Sequence, residues 1–516
     1  MLSVLVEVKP ESADVLRGLI LDLRAFQEAA SVQYSQLKAA VPALHFMAMT
    51  VFKDDQYDPI LVLEANFDGA SGPFWSQLEA AIGERLRDML RCAKPPRDGG
   101  LALFEAVTAP GSRAPVAPYL EALTLRPAVF HQGNRGLDRA RIEDEGALFA
   151  AVQTELDTGA YAPALSAQGV HDSLRGKLAP RFALLSAPAP ARVTPAENLA
   201  DLARLLSFAL AVVLILCAPG LVLSRLVPPL PAAALALILA VPLGLALPGF
   251  GELLPKLSLK GTAALVVGLA VFVAVMSAVA AAVPFPEGDD FGERSKGWAI
   301  AFGLGLCWAV PTVLVILVRL RGLERRDPSQ DAPPVDALEQ RLIAAREDQI
   351  AQNHMGSVVH LKPGALRAVL IRAGLWGLGL VLRVTAHNGY LSSMRTIHFA
   401  HWAITPDGAR LMFFSNFDSS WESYLDDFIE KAHPGLTLAW SSGTGFPPTR
   451  FLMLDGATQG RRFKAWARHS MAESLFWFSA YKSFTVNQIE RQARIADGLR
   501  KPALTATEAA VWALDL

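Results

Sequence analysis

Four long runs without a charged side chain occupy the middle of the chain, at 205–224, 231–250, 261–283 and 297–318. Each has the roughly 20 residues a helix needs to cross a hydrocarbon core. On either side the pattern changes. Residues 3–9 alternate apolar and polar like a strand, and residues 12–40 repeat with helical period. Residues 43–52 and 59–67 read as strands around a polar turn, 73–92 as a helix and 101–108 as a strand. Beyond the membrane runs the same order returns at 354–361, 364–386, 396–404, 410–417, 419–433 and 450–455. Each copy continues with a short strand, at 128–132 and 475–481, and then a charged helix starting at Leu137 or Val486.

The two ends also resemble each other in short matched segments, as an internal duplication does. Val6-Glu7-Val8-Lys9-Pro10 parallels Val359-His360-Leu361-Lys362-Pro363, and Leu44-His45-Phe46 parallels Ile397-His398-Phe399. From Pro10 to His45 and from Pro363 to His398 the interval is the same, 35 residues. Asn66-Phe67-Asp68 then parallels Asn416-Phe417-Asp418. The order β-α-β-β-α-β in each copy is that of a ferredoxin-like unit.

The predicted fold class is therefore α+β with a transmembrane α-helical part: two ferredoxin-like repeats flanking four membrane helices. The boundaries are a first repeat with extension at 1–184, a Pro/Ala-rich linker at 185–203, and four transmembrane helices at 204–320. A second linker at 321–348 and a second repeat with extension at 349–516 follow. Two such units in one chain resemble the dimeric α+β-barrel superfamily of dye-decolourising peroxidases, chlorite dismutases and antibiotic-biosynthesis-type monooxygenases. The resemblance lies in element order and duplication over about 300 residues. The peroxidases' Gly-x-x-Asp-Gly motif is missing, since Asn66-Phe67-Asp68-Gly69 lacks its leading glycine. The resemblance implies oxidoreductase chemistry and, among cofactors, haem; the residues themselves assign no cofactor.

Composition agrees with a mixed chain. Of 516 residues, 52% are hydrophobic and only 19% charged, with mean hydropathy +0.30. A net charge of -1 argues against a nucleic-acid partner. The three cysteines lack any disulfide or zinc spacing. Lys and Arg cluster before the first run, between the second and third, and after the fourth, whereas 284–296 is acidic. This bias predicts a multi-pass protein of the inner (cytoplasmic) membrane with both termini cytoplasmic. None of the four runs contains Asp, Glu, Lys, Arg or His, which argues against a pump and for an anchor.

Candidate chemistry lies on the strand faces turned away from the helices. Alternation puts Ser3, Glu7, Glu64 and Asn66 there in copy one, and His354, His360 and Asn416 in copy two. Seven of the ten histidines fall in copy two, which makes it the better place for a haem or metal site, although single histidines are more often ordinary surface or core residues. The candidate catalytic set is His354, His360, His398, Arg395 and Asn416, with no metal site. His398 and His401, three apart on a strand, point to opposite faces unless a bulge intervenes. Asp418 reads as a helix N-terminus, with Ser419 and Glu422 at capping-box spacing.

One contrast separates the copies. The helix after Pro10 is charged, whereas 364–383 is apolar around Trp376 with flanking arginines. Such a helix lies in a lipid interface or lines a pocket mouth, or is a core helix. Two functions follow. One is an oxidoreductase, peroxidase- or monooxygenase-like, acting on a hydrophobic or membrane-associated substrate. The other is a non-catalytic lipid-binding or scaffolding protein. In both, the partner is membrane lipid or a small hydrophobic molecule, and the two repeats pair within the chain.

Overall fold

The structure, a computed structural model, describes residues 1–28, 37–54, 57–97, 99–158, 166–246, 291–327, 331–386 and 394–516. Two compact units result. One joins Met1–Asn198, Ser329–Pro447 and Asp455–Leu516, and the other joins Leu199–Pro328 and Pro448–Leu454.

In the first unit, the alternating start of the chain forms β1 (Leu2–Glu7), followed by α1 (Ala13–Glu28), β2 (Leu44–Phe52), β3 (Ile60–Phe67) and α2 (Ser71–Arg91). The later half repeats this as β6 (Gln352–His360), α9 (Ala365–Thr385), β7 (Ile397–Ile404), β8 (Arg410–Asp418) and α10 (Trp421–Lys431). All the pairings of the two large sheets are antiparallel.

Two predicted strands are not strands in the expected way. Residues Leu101–Thr108 form helix α3, because only Phe104 and Val107, one helical turn apart, face the core. The sheet edge there is taken by β4 (Thr124–Leu125) beside β1. Residues 450–455 form not one strand but two bridges, β9 (Thr449–Arg450) and β10 (Leu454–Asp455), around a turn with Phe451 and Leu452 at positive φ.

The outer strands are exchanged between the halves. β5 (Val129–Gln132) pairs with β7, and β11 (Ser474–Ser479) pairs with β2. The orders are β11-β2-β3-β1-β4 and β5-β7-β8-β6. The helices that follow these strands, α4 (Arg139–Asp157) and α12 (Val486–Arg500), pack together through Leu148, Val152, Ile495 and Leu499. Each sheet has an apolar core on its helical face, built around Val4, Val6, Ile20 and Leu78 in one and Met355, Ile371, Leu375 and Trp440 in the other. Each such side chain stabilises the fold by about 1.5–3 kcal/mol at full burial.

In the second unit, the uncharged runs form α6 (Pro195–Leu226), α7 (Pro229–Leu245) and α8 (Phe291–Arg325). Gly220 lets α6 approach α8 closely: a Cβ there would lie 2.2 Å from the Leu304 carbonyl oxygen. Small residues at such crossings let membrane helices pack backbone to backbone. At the end of α8, buried Glu324 accepts hydrogen bonds from Thr449 Oγ1 and from the backbone N–H groups of Phe451 and Leu452. Three described helices are long and apolar enough to cross a membrane, at Pro195–Leu226, Ser295–Arg325 and Ala365–Thr385; Pro229–Gly244 is a shorter apolar helix. These helices point to membrane association. The predicted run 261–283 lies outside the described residues.

Candidate functional site

Strand alternation turns Leu2, Val4 and Val6 toward the helices and Ser3 and Leu5 the other way. Register then sets neighbours: Ser3 lies opposite Glu64, and His354 lies opposite Asn416. These inner faces meet. Asn416 Nδ2 donates to Glu64 Oε1 at 3.2 Å, and Trp477 Nε1 donates to Asn416 Oδ1 at 2.9 Å. Asn66 also donates to Glu64. His354 Nε2 stands 3.3 Å from Glu64 Oε2, while its Nδ1 is 2.6 Å from Ser474 Oγ. His401 Nε2 is 2.8 Å from Ser3 Oγ, with its Nδ1 3.9 Å from Glu64.

Glu64 is thus a buried carboxylate at the meeting point of two serine–histidine arms. Burial pushes its carboxyl up, but the hydrogen bond and charge of His354, with His401 and Asn66, outweigh that and hold it below the ordinary range. Burial pushes His401 down to about 4, so its imidazole is neutral at neutral pH. His131 is likewise pushed down to about 4 by burial; it lies in β5 on the face away from this cluster, opposite Ala400.

The other matched residues form two equivalent pairs beside the cluster. His45 Nε2 is 2.9 Å from Asp68, and His398 Nε2 is 2.8 Å from Asp418. Each aspartate also accepts the first backbone N–H of a long helix, Asp68 from Arg139 and Asp418 from Val486. Asp418 therefore serves the N-terminus of α12, beside its N-cap Thr485, and not the helix that follows it in sequence. That next helix is capped by Ser420, and Ser419 takes a positive φ instead of a cap geometry. The recurrence of histidine and aspartate in both halves thus has a structural role: the pair ties each central strand to the helix after the exchanged strand.

The five predicted site residues separate. His354 and Asn416 come together on Glu64. His398 belongs to the Asp418 pair. It sits at a register shift between Ile397 and Phe399, the bulge that frees it from simple alternation with His401. His360, at the far end of β6, stands 2.7 Å from Asp54 and stacks near Tyr57. Arg395 is half-buried just before β7. Sequence reasoning missed His401, Ser474 and Trp477 as members of the cluster. Alternation counted from Phe399 would have placed His401 on the inner face; nothing local marks Ser474 or Trp477.

The space between the sheets does not fit a haem. Phe46 packs against Phe399 at 5.7 Å between ring centroids and Phe52 against Phe414 at 6.2 Å, and Phe46 stacks near Trp477. His354, His398 and His401 each engage a serine or carboxylate partner. Among the described residues no three His, Cys, Asp or Glu side chains are arranged to hold a metal ion. Comparison with known proteins finds no matching family model, curated protein or solved structure.

Proposed function

We propose that this is a membrane-anchored, lipid-binding protein whose two-sheet unit works at the lipid surface on a hydrophobic or membrane-associated molecule. The observation that carries this reading is the outer face of α9. Ile371 and Leu375 are buried in the core beneath, yet Val369 and Trp376 are 64% and 59% exposed, with Val381 and Val384 exposed further along. An apolar stripe of this kind facing water marks an interaction surface. Tryptophan favours the membrane–water boundary, and the stems of Arg372 and Arg383 can lie along apolar surface with their charges at the headgroups.

Haem-dependent, peroxidase-like chemistry would need a cofactor pocket between the sheets, and the packed rings there give it no support. The exchange of β5 and β11 between halves supports the resemblance to a duplicated α+β barrel. The Lys and Arg flanks support a multi-pass arrangement in the inner membrane with both termini cytoplasmic. Reporter fusions at each terminus test that arrangement, and opposite locations would refute it.

The lipid contact is tested in nanodiscs with a nitroxide at residue 376, introduced as Trp376→Cys in a Cys307→Ser background, because Cys307 is the exposed cysteine. Lipid contact predicts strong relaxation by oxygen and weak relaxation by a water-soluble nickel complex. The reverse pattern would overturn the proposal.

A further inference from the structure

We infer that Ser474, His354 and Glu64 form a nucleophile–base–carboxylate relay able to cleave an uncharged carboxylic ester. The inference rests on geometry independent of the lipid-binding reading. Ser474 Oγ lies 2.6 Å from His354 Nδ1, and the other nitrogen of the same ring lies 3.3 Å from Glu64. A serine becomes a nucleophile when a base within hydrogen-bond reach is itself oriented by a third group.

Two serine–histidine arms share Glu64, and access decides between them. Ser3 is fully buried, so the His401 arm is closed. Ser474 and His354 are both half-buried residues, with the His354 and Glu64 side chains themselves 2% and 1% exposed. The His354 arm is therefore the one that starts from a half-buried serine.

The backbone supports the same assignment. Ser474 opens β11 at a bulge: it lies opposite Thr50 and Phe476 opposite Met49, so Leu475 has no opposite on β2. The serine is thus at a break in the ladder rather than inside it. The preceding Glu473 is held by Arg17 at 2.5 Å and Arg346 at 2.9 Å, which fixes the entry of the strand. Phe414 and Trp477 flank the His354 ring at 6.2 and 6.3 Å, giving the base apolar walls.

The chemistry balances within these groups. Ser474 Oγ bonds to the ester carbonyl carbon as His354 Nδ1 takes its proton. The carbon–alkoxy bond breaks, and His354 returns the proton to the leaving alcohol. Water then attacks the acyl-serine, again giving its proton to His354, and the free acid leaves as Ser474 Oγ is reprotonated. Glu64 is a positioning residue whose 3.3 Å ion pair with His354 Nε2 stabilises the imidazolium.

The test uses the full chain in detergent with a fluorophosphonate probe and peptide mass spectrometry, each variant being checked for folding by thermal melting. Wild type should take one label, on Ser474, and Ser474→Ala should take none. His354→Gln should slow labelling by about 100-fold or more. Glu64→Gln should slow it by about 10-fold or more and move its pH profile to lower pH, which a purely structural carboxylate would not do. If His354→Gln does not fold, the comparison of native with denatured wild type decides, since only the native relay should label. Folded wild type that takes no probe, a label on another residue, or a native rate equal to the denatured one would overturn the inference.

Discussion

Acid should destabilise the two-sheet unit well before its carboxylates protonate, and His131 should account for a large part of the loss. Its side chain is 2% exposed beneath the helical face of the second sheet, and its Nε2 has no hydrogen-bond partner. Burial holds its folded pKa at about 4, against 6.5 for the free side chain. The unfolded chain therefore takes up a proton as pH falls below 6.5, while the folded chain resists until about 4. The contribution to stability is whole above 6.5 and is lost across that window. Each tenfold drop in proton affinity on folding is worth about 1.4 kcal/mol, so the full loss is up to about 3 kcal/mol, with about 2 kcal/mol gone by about pH 5. His401, also lowered to about 4, adds a similar loss with the same sign. The assay is denaturant unfolding of the full chain in detergent, followed by tryptophan fluorescence at about pH 7.5 and about pH 5. His131→Leu removes the titrating group at similar volume, so the variant should lose about 2 kcal/mol less than wild type between these conditions. An equal loss in both proteins would refute the reasoning.

Other outcomes follow from the same geometry. Asp418→Ala strands His398 and frees the first N–H of α12, so it should cost about 3–5 kcal/mol as the loss of one partner of a buried pair; Asp68→Ala should cost less because its carboxylate is 32% exposed. Thermal melting of the two variants compares them. Leu375→Ala, in the core under α9, should destabilise by about 2–5 kcal/mol. Trp376→Asp, on the exposed face, should leave the melting temperature nearly unchanged and weaken lipid contact. Gly220→Val should drive α6 and α8 apart, because even a Cβ would meet the Leu304 carbonyl oxygen, and this should appear as lower thermal stability in detergent.

Much of the inner face was legible from alternation alone. The period of two along 3–9 separated Ser3 from Val4 and Val6, and the same period put Glu64 with Asn66. The matched Pro–His intervals gave the halves equivalent strands, and the absence of charge marked helices long and apolar enough to cross a membrane. These are local properties, fixed by strand period and by the cost of charge in hydrocarbon. Which partner each side chain meets was not local. Asp418 looked like a cap for the next helix because capping spacing is short-range, yet its N–H donor is Val486, from beyond an exchanged strand. His401 was set apart from His398 because a bulge leaves no mark in a periodic count. Ser474 reaches His354 only because β11 crosses to the other half's sheet. Such contacts depend on strand order, register and the meeting of two faces. Many residue sequences satisfy the same alternation, and only the packed structure selects which polar groups share one buried carboxylate.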